Sequence, residues 1–302
     1  MDRIELLNVF CHVVECGSFT RAADRLTMPR SSVSLAIQEL ERIVGTRLLH
    51  RTTRKVSPTQ DGLECYERSQ PLIEEFDDLS NMFTAAQRGL SGRIRVDLPG
   101  RIGRLIVAPA IGEFLAQHPE IDIIMGVTDR STDLIEEGVD CVLRVGTPEN
   151  SFLVARQIGE VKLTNVASPD YLARHGTPCI PADLSDHSMV LFASPNTGRV
   201  EHFEWVASGQ LYTQPVRGRL TVNNAEAMIA ACHAGLGIIQ IPAYDIQDSI
   251  ARGELVEIMP EFRADSMPMN LLFPRRRERT RRVLIFADWL ESLVRREILS
   301  TQ

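Results

Sequence analysis

Apolar residues at the start of the chain recur at helical spacing, and glycine cuts the pattern twice. Ile4, Leu7, Phe10, Cys11, Val13 and Val14 share one face of a helix over 4–16, with Gly17 as its stop. Ser18 can cap a second, short helix, whose face is Phe19, Ala22, Ala23 and Leu26. Thr27 is a further cap candidate, and Pro29 stands near a first turn, where a missing N–H costs nothing. A third helix from about Pro29 to Val44 would bury Val33, Ile37, Leu40 and Val44 before Gly45 ends it. Two short helices meeting across a small-residue turn, the second amphipathic, form a helix-turn-helix pattern.

The N-terminal end of the third helix carries Arg30, Ser31, Ser32 and Ser34. Small donors and acceptors beside one fork-shaped cation can enter a major groove and reach base edges. The stretch from Arg47 to Val56 mixes basic and hydroxyl side chains, which suits a β-ribbon on phosphates. The formal net charge of −7 argues the other way until position is considered. Residues 1–60 hold nine basic and six acidic side chains, so the remainder carries −10. A cationic end on an acidic body suits nucleic-acid contact. Spacing alone also fits any small three-helix domain with a solvated basic face.

The motifs go further than spacing. Phe19-Thr20-Arg21-Ala22-Ala23-Asp24-Arg25-Leu26, then 31–41 (SSVSLAIQELE), then Gly45-Thr46-Arg47-Leu48-Leu49-His50-Arg51 closely resemble the LysR-type transcriptional regulators. Thr59-Gln60-Asp61-Gly62 is similar to the start of that family's linker helix. The resemblance runs along essentially the whole chain, and 92–99 (GRIRVDLP), 138–146 (GVDCVLRVG) and 167–172 (ASPDYL) look like its CrgA-like branch. It implies an α/β chain with an N-terminal winged helix-turn-helix, a long linker helix and a C-terminal two-lobed, periplasmic-binding-protein-like (Rossmann-like) domain. The implied boundaries are 1–58 for DNA binding, 59–89 for the linker and dimerisation helix, and 90–302 for effector binding. Lobe I would be 90–161 with 267–302, and lobe II 162–266. The implied DNA contacts are Thr20, Arg30, Ser31, Ser32, Ser34, Arg51, Thr53 and Arg54. The family often has Gln at the place of Arg30, Pro-Ala at Ser31-Ser32 and a basic residue at Leu35, while Ser34 matches. These departures leave the DNA half-site open. Pro58 replaces the usual Leu and fits as an entrance to the linker helix.

From Thr59 to Gln87 the chain reads as one helix about 40 Å long. Leu72, Phe76, Leu79, Phe83 and Ala86 form a heptad seam, interrupted beforehand by Pro71. The seam needs a partner, and the resemblance implies an antiparallel pair in a homodimer or homotetramer. Two linked readers imply a roughly palindromic site on double-stranded promoter DNA, with RNA polymerase left open as a further partner.

After the join at 89–92, strands and helices alternate: strand 94–98, helix 105–117, strand 121–127, helix 132–137 and strand 141–145. A second set reads 163–167, 169–175, 225–234 and 237–241, and the chain returns with strand 270–273 and helix 281–296. Ligands in such folds sit outside the C-terminal ends of strands. That rule selects Pro99, Gly100, Arg101, Thr128, Asp129, Arg144, Ser194, Asn223 and Asn224 as the effector site. Gly100 opens a helix and Arg101 adds charge, so the expected effector is small and anionic or polar. Arg144 can equally be a structural ion pair, and Asn224 a helix cap. The basic run 275–282 reads as a solvated loop and helix start.

The rival classes are an enzyme or a small-molecule-binding protein without a DNA-reading role. Gly-x-Ser-x-Gly, His-Glu-x-x-His and a dinucleotide glycine motif are all lacking, so no catalytic, metal or cofactor site is expected. A solute carrier would have no use for residues 1–60. The six cysteines are scattered, without a C-x-x-C pair, and read as small buried residues in a reducing compartment. Charges near the N-terminus exclude a signal-peptide core and no apolar run spans a membrane, so no membrane partner and a cytoplasmic location are expected.

Overall fold

The computed structural model describes residues 1–51, 56–84, 90–130, 138–147, 153–195, 197–274 and 280–301. They form two compact units, Met1–Gly89 and Leu90–Gln302.

In the first unit, α1 (Arg3–Cys16) opens with a capping box, Asp2 accepting from the Glu5 amide at 2.8 Å and Glu5 from the Asp2 amide at 3.3 Å. Gly17 ends it in the left-handed region, at φ 57°. Ser18 caps α2 (Phe19–Arg25) by accepting from the Arg21 amide. Thr27 does not cap the next helix: it has φ 54° and donates to the Asp24 carbonyl, which closes α2. Pro29, in the extended region at φ −61° and ψ 139°, is the N-cap of α3 (Arg30–Val44), so the helix starts one residue after it. Phe10, Val13, Ala22, Val33, Ile37 and Leu48 make the buried centre.

Strands β1 (Leu49–Arg51) and β2 (Val56–Pro58) pair antiparallel as the wing, and α4 (Gln60–Thr84) follows. The Thr59 hydroxyl accepts from the Gly62 amide at 2.9 Å and donates to the Arg47 carbonyl at 2.8 Å. A Cβ on Gly62 would lie 2.0 Å from the Leu48 carbonyl oxygen, so only glycine lets the helix start this close to the wing. Glu41 of α3 accepts from the Leu48 and Leu49 amides at 3.0 and 3.3 Å. Cys65, Tyr66 and Ile73 pack α4 onto the three-helix core.

The second unit begins with β3 (Ser91–Leu98), α5 (Gly100–Ile102), a π turn (Gly103–Val107), α6 (Ala108–Gln117), β4 (Glu120–Val127), β5 (Cys141–Val145) and β6 (Leu153–Val161). It continues with β7 (Leu163–Ala167), α7 (Pro169–His175), β8 (Val190–Phe192), β9 (Phe203–Ala207), β10 (Gln210–Gln214), β11 (Leu220–Val222) and α8 (Ala225–His233). It ends with β12 (Ile239–Pro242), α9 (Gln247–Ala251), β13 (Val256–Glu257), β14 (Met267–Pro274) and α10 (Arg281–Glu297). The expected helix at 132–137 lies outside the described residues. The helix expected from Leu105 starts earlier, at Gly100, because the chain turns directly out of β3.

Two lobes divide these strands, one holding a single sheet and the other three smaller paired groups. The first has the order β4-β3-β5-β14-β6, with β3 parallel to β4 and β5, and β14 antiparallel to β5 and β6. Phe114, Phe286 and Trp289 cluster between α6 and α10 on its face, with ring centroids 5.2–5.5 Å apart. In the second lobe β7 pairs antiparallel with β12 and β13, β8 runs parallel to β11, and a Met189–Ile238 bridge joins the two groups. Fully buried Asn165 on β7 donates to the Phe262 carbonyl at 2.8 Å and accepts from Gln240 at 2.8 Å. The chain therefore crosses from the first lobe to the second and returns to the first through β14, so strand ends from both face one cleft.

Two expectations need correction. Arg282 is not solvated: it is buried and donates from Nε to the Arg93 carbonyl at 3.1 Å. Residues 275–279 of the same run lie outside the described residues. Cysteines are not uniformly buried either: Cys11, Cys141 and Cys232 are, Cys16 and Cys65 are half-buried, and Cys179 is exposed. Burial pushes the Cys11 and Cys232 thiols up to about 12, which keeps them protonated and inert.

Candidate nucleic-acid interface and ligand cleft

Helix α3 buries Val33, Ala36, Ile37 and Leu40 and turns its other face outward. Arg30 and Ser31 are exposed, and Ser32 and Ser34 half-buried, at its first two turns. Leu35, 65% exposed, and Gln38 extend the same face, since 31, 34, 35 and 38 follow the i, i+3, i+4, i+7 rule. Leu35 and Gln38 were absent from the expected contacts, although this periodicity would have found them. An exposed leucine there can contact a thymine methyl group. Thr20 is exposed in the first turn of α2. Arg51 ends β1, and its side chain, like the whole of Thr53 and Arg54, lies outside the described residues. Among the described residues Arg25 pairs with Glu15 at 3.3 Å and Arg42 with Glu39 at 2.7 Å, while Arg30 stands exposed at the start of α3.

In the second unit a cleft of about 530 Å³ opens between the lobes. That size falls in the small-molecule range of roughly 300–1,000 Å³. Pro99, Arg101, Thr128, Asp129, Arg144 and Ser194 line it, as expected from strand ends. Gly100 and Asn224 stand behind that lining. Gly100 donates its amide to Asp129 at 2.9 Å. Asn224 caps α8 through the Ala227 amide at 3.1 Å and also donates to Asp129 at 3.0 Å. Asn223 is exposed and forms no wall of the cleft, because the β11 end turns its neighbour inward instead. Arg144 makes the structural ion pair: its Nη2 lies 2.5 Å from Asp97 of β3 and 2.9 Å from the Arg130 carbonyl.

Arg101 does not present an empty guanidinium. Its Nε donates to Asp245 at 2.8 Å, its Nη1 to Glu226 at 2.7 Å, and its Nη2 to the Asp245 carbonyl at 2.6 Å. Burial pushes the Asp245 carboxyl up to about 7, with Asp129 and Glu226 adding to the rise and Arg101 opposing it. Tyr244 and Asp245 follow β12, so the strand-end rule applied there would have found them. Glu201, Gln240, Phe192 and Met228 also line it, and nothing in their spacing marked them as cleft residues. Among the described residues no His, Cys, Asp and Glu group could hold a metal ion. No helix of the described residues is long and apolar enough to cross a membrane.

A compact helix-turn-helix head with a wing, and a two-lobed body around a ligand-sized cleft, define a ligand-responsive DNA-binding regulator. Residues 4–63 match the bacterial regulatory helix-turn-helix proteins of the lysR family, and residues 87–295 match the LysR substrate binding domain. The chain belongs to the LysR-type transcriptional regulators, with a DNA-binding and an effector-binding part, and it is a regulator rather than an enzyme. It is 37% identical to YhjC, an uncharacterized HTH-type transcriptional regulator of Escherichia coli, over 98% of this chain and 99% of that one. It is 31% identical to the regulator CrgA of Neisseria meningitidis, over 95% of both chains. The solved CrgA structure superposes with a TM-score of 0.60 over 95% of this chain and 97% of that one. Full-length AphB, a Vibrio cholerae virulence activator, gives 0.57 at 29% identity, over 96% and 98%.

Proposed function

We propose that the chain reads a paired, roughly palindromic promoter site as a homodimer or homotetramer and that a small polar effector in the cleft alters that reading. Residues 1–58 serve as the reading head, 59–89 as linker and dimerisation helix, and 90–302 as sensor, with lobe I at 90–161 and 267–302 and lobe II at 162–266. Arg30, Ser31, Ser32 and Ser34 contact base edges, while Thr20, Arg51, Thr53 and Arg54 hold the backbone. Pro99, Arg101, Thr128, Asp129, Arg144 and Ser194 shape the effector site, with Gly100 and Asn224 as its supports. Apolar walls with Thr128, Ser194 and Gln240 among them favour a polar effector with an apolar body over a simple anion. The site of action is the cytoplasm, where the promoter is, and RNA polymerase is the partner wherever the dimer activates.

The observation that carries the reading role is the outward polar face at the start of α3, set on a firm core. Fluorescence anisotropy on duplexes selected by the full chain tests it. Arg30→Ala weakens the preferred duplex by about 1–3 kcal/mol and changes the preferred base. An equal loss on every sequence contradicts a base-reading role for Arg30.

A further inference from the structure

The places where an anion would be received in the cleft are taken by carboxylates of the chain itself. Asp129 follows β4 in the first lobe and accepts from the Gly100 amide at 2.9 Å. The same carboxylate accepts from the Asn224 side chain at 3.0 Å and the Ala225 amide at 3.3 Å, both in the second lobe. It thus sits at the first turns of two helical stretches, one from each lobe, where amides and the helix dipole favour negative charge. Arg101, also from the first lobe, crosses beside it to Asp245 and Glu226. Arg104 adds a second guanidinium on Glu226, 2.6 Å away. A negative and a positive group therefore cross the same gap side by side. The Arg101 and Asp245 side chains are 14% and 4% exposed, so water contributes little to holding either group. Losing one partner of such a pair leaves the other buried and uncompensated.

We propose that the sensor is latched by its own charges: Asp129 acts as a tethered carboxylate ligand of the second lobe, and Arg101 as the cation that holds Asp245 and Glu226. Lobe closure is then an intrinsic property of the chain, and an effector acts on a latch already built. This goes beyond the effector reading and stands apart from it, since it concerns only groups of the chain.

Chemical rescue of the full-length protein tests the latch. Both tryptophans, Trp205 and Trp289, lie in the second unit, so their fluorescence follows its unfolding. Asp129→Ala lowers the melting temperature, and formate at about 50 mM restores much of the loss because it binds only the folded form. Chloride at equal ionic strength does not, and formate leaves the wild type unmoved. An unchanged melting temperature in the variant, or a loss that formate repairs no better than chloride, overturns the latch. Should Asp129→Ala fail to fold, Arg101→Lys keeps the charge and loses the fork. Amide exchange across 224–230 then becomes about tenfold faster than in the wild type. Exchange unchanged there overturns it equally, with Arg252→Gln as the control, since Arg252 forms an exposed pair with Glu254 at 2.9 Å.

Discussion

At Asp245 burial and charge pull in opposite directions, and burial wins. Its carboxyl moves from an ordinary 3.8 to about 7, because losing water outweighs the nearby Arg101 guanidinium. The folded protein therefore holds a proton there that the unfolded chain has already lost. Stability from this group is fully present below about pH 3.8 and is lost as pH rises from there through about 7. The contribution is on the order of a few kcal/mol. Melting of the wild type and of Asp245→Asn, followed by tryptophan fluorescence from pH 5 to 8, reads it: the variant loses this slope. Parallel profiles for the two proteins would remove Asp245 as the titrating group. The residues of the cleft were legible mainly where a strand with a clear pattern ended, Ser194 after the short β8 being the exception. Pro99, Arg101, Thr128 and Asp129 follow such strands. The partner of Arg101 was not legible, because Asp245 lies 144 positions away and no spacing connects them.

Elements with long repeats were the easiest to read. Helices α1, α3, α4 and α10 stand where apolar periodicity puts them, although Val44, expected inside, is exposed in the last turn of α3, and Ser18, Asn224, Gly17 and Gly45 cap or stop helices as their chemistry dictates. Strands of two or three residues, such as β8, β11 and β13, carry too few side chains to show a period, and tertiary pairing alone defines them. The hairpin β9–β10 was also missed, although its Trp205 and Tyr212 stack across the strands at 5.5 Å. Gly62 shows what a motif can hide: its place in the 59–62 run was clear, but the reason, contact with the Leu48 carbonyl, is a tertiary fact. Along α4, Leu72, Phe76 and Leu79 are 50%, 44% and 54% exposed in the single chain, whereas Ile73 faces the three-helix core. The side chain of Phe83, and Ala86, lie outside the described residues. A charge on the open face, away from the core, separates assembly from folding. Phe76→Asp lowers the assembled fraction at micromolar concentration by about tenfold or more, for a buried charge with no partner. Sedimentation velocity measures it, and an unchanged oligomer with full helicity would assign the interface elsewhere.

For the molecule as a whole, the two ends of the chain have opposite charge and different tasks. Residues 1–60 are cationic while the remainder is acidic, so a long-range attraction to duplex DNA is local to the head. Phosphate attraction weakens steeply with salt, and contacts to base edges do not disappear with it. Preference among sequences is therefore the property that distinguishes reading from simple attraction. The most direct measurement is the affinity of the full-length protein for its own upstream region and for a shuffled duplex of equal length, titrated in parallel at about 0.15 M salt. The upstream region is expected to bind at least about a thousandfold more tightly, the lower end for specific readers. Equal affinity for both duplexes would contradict it.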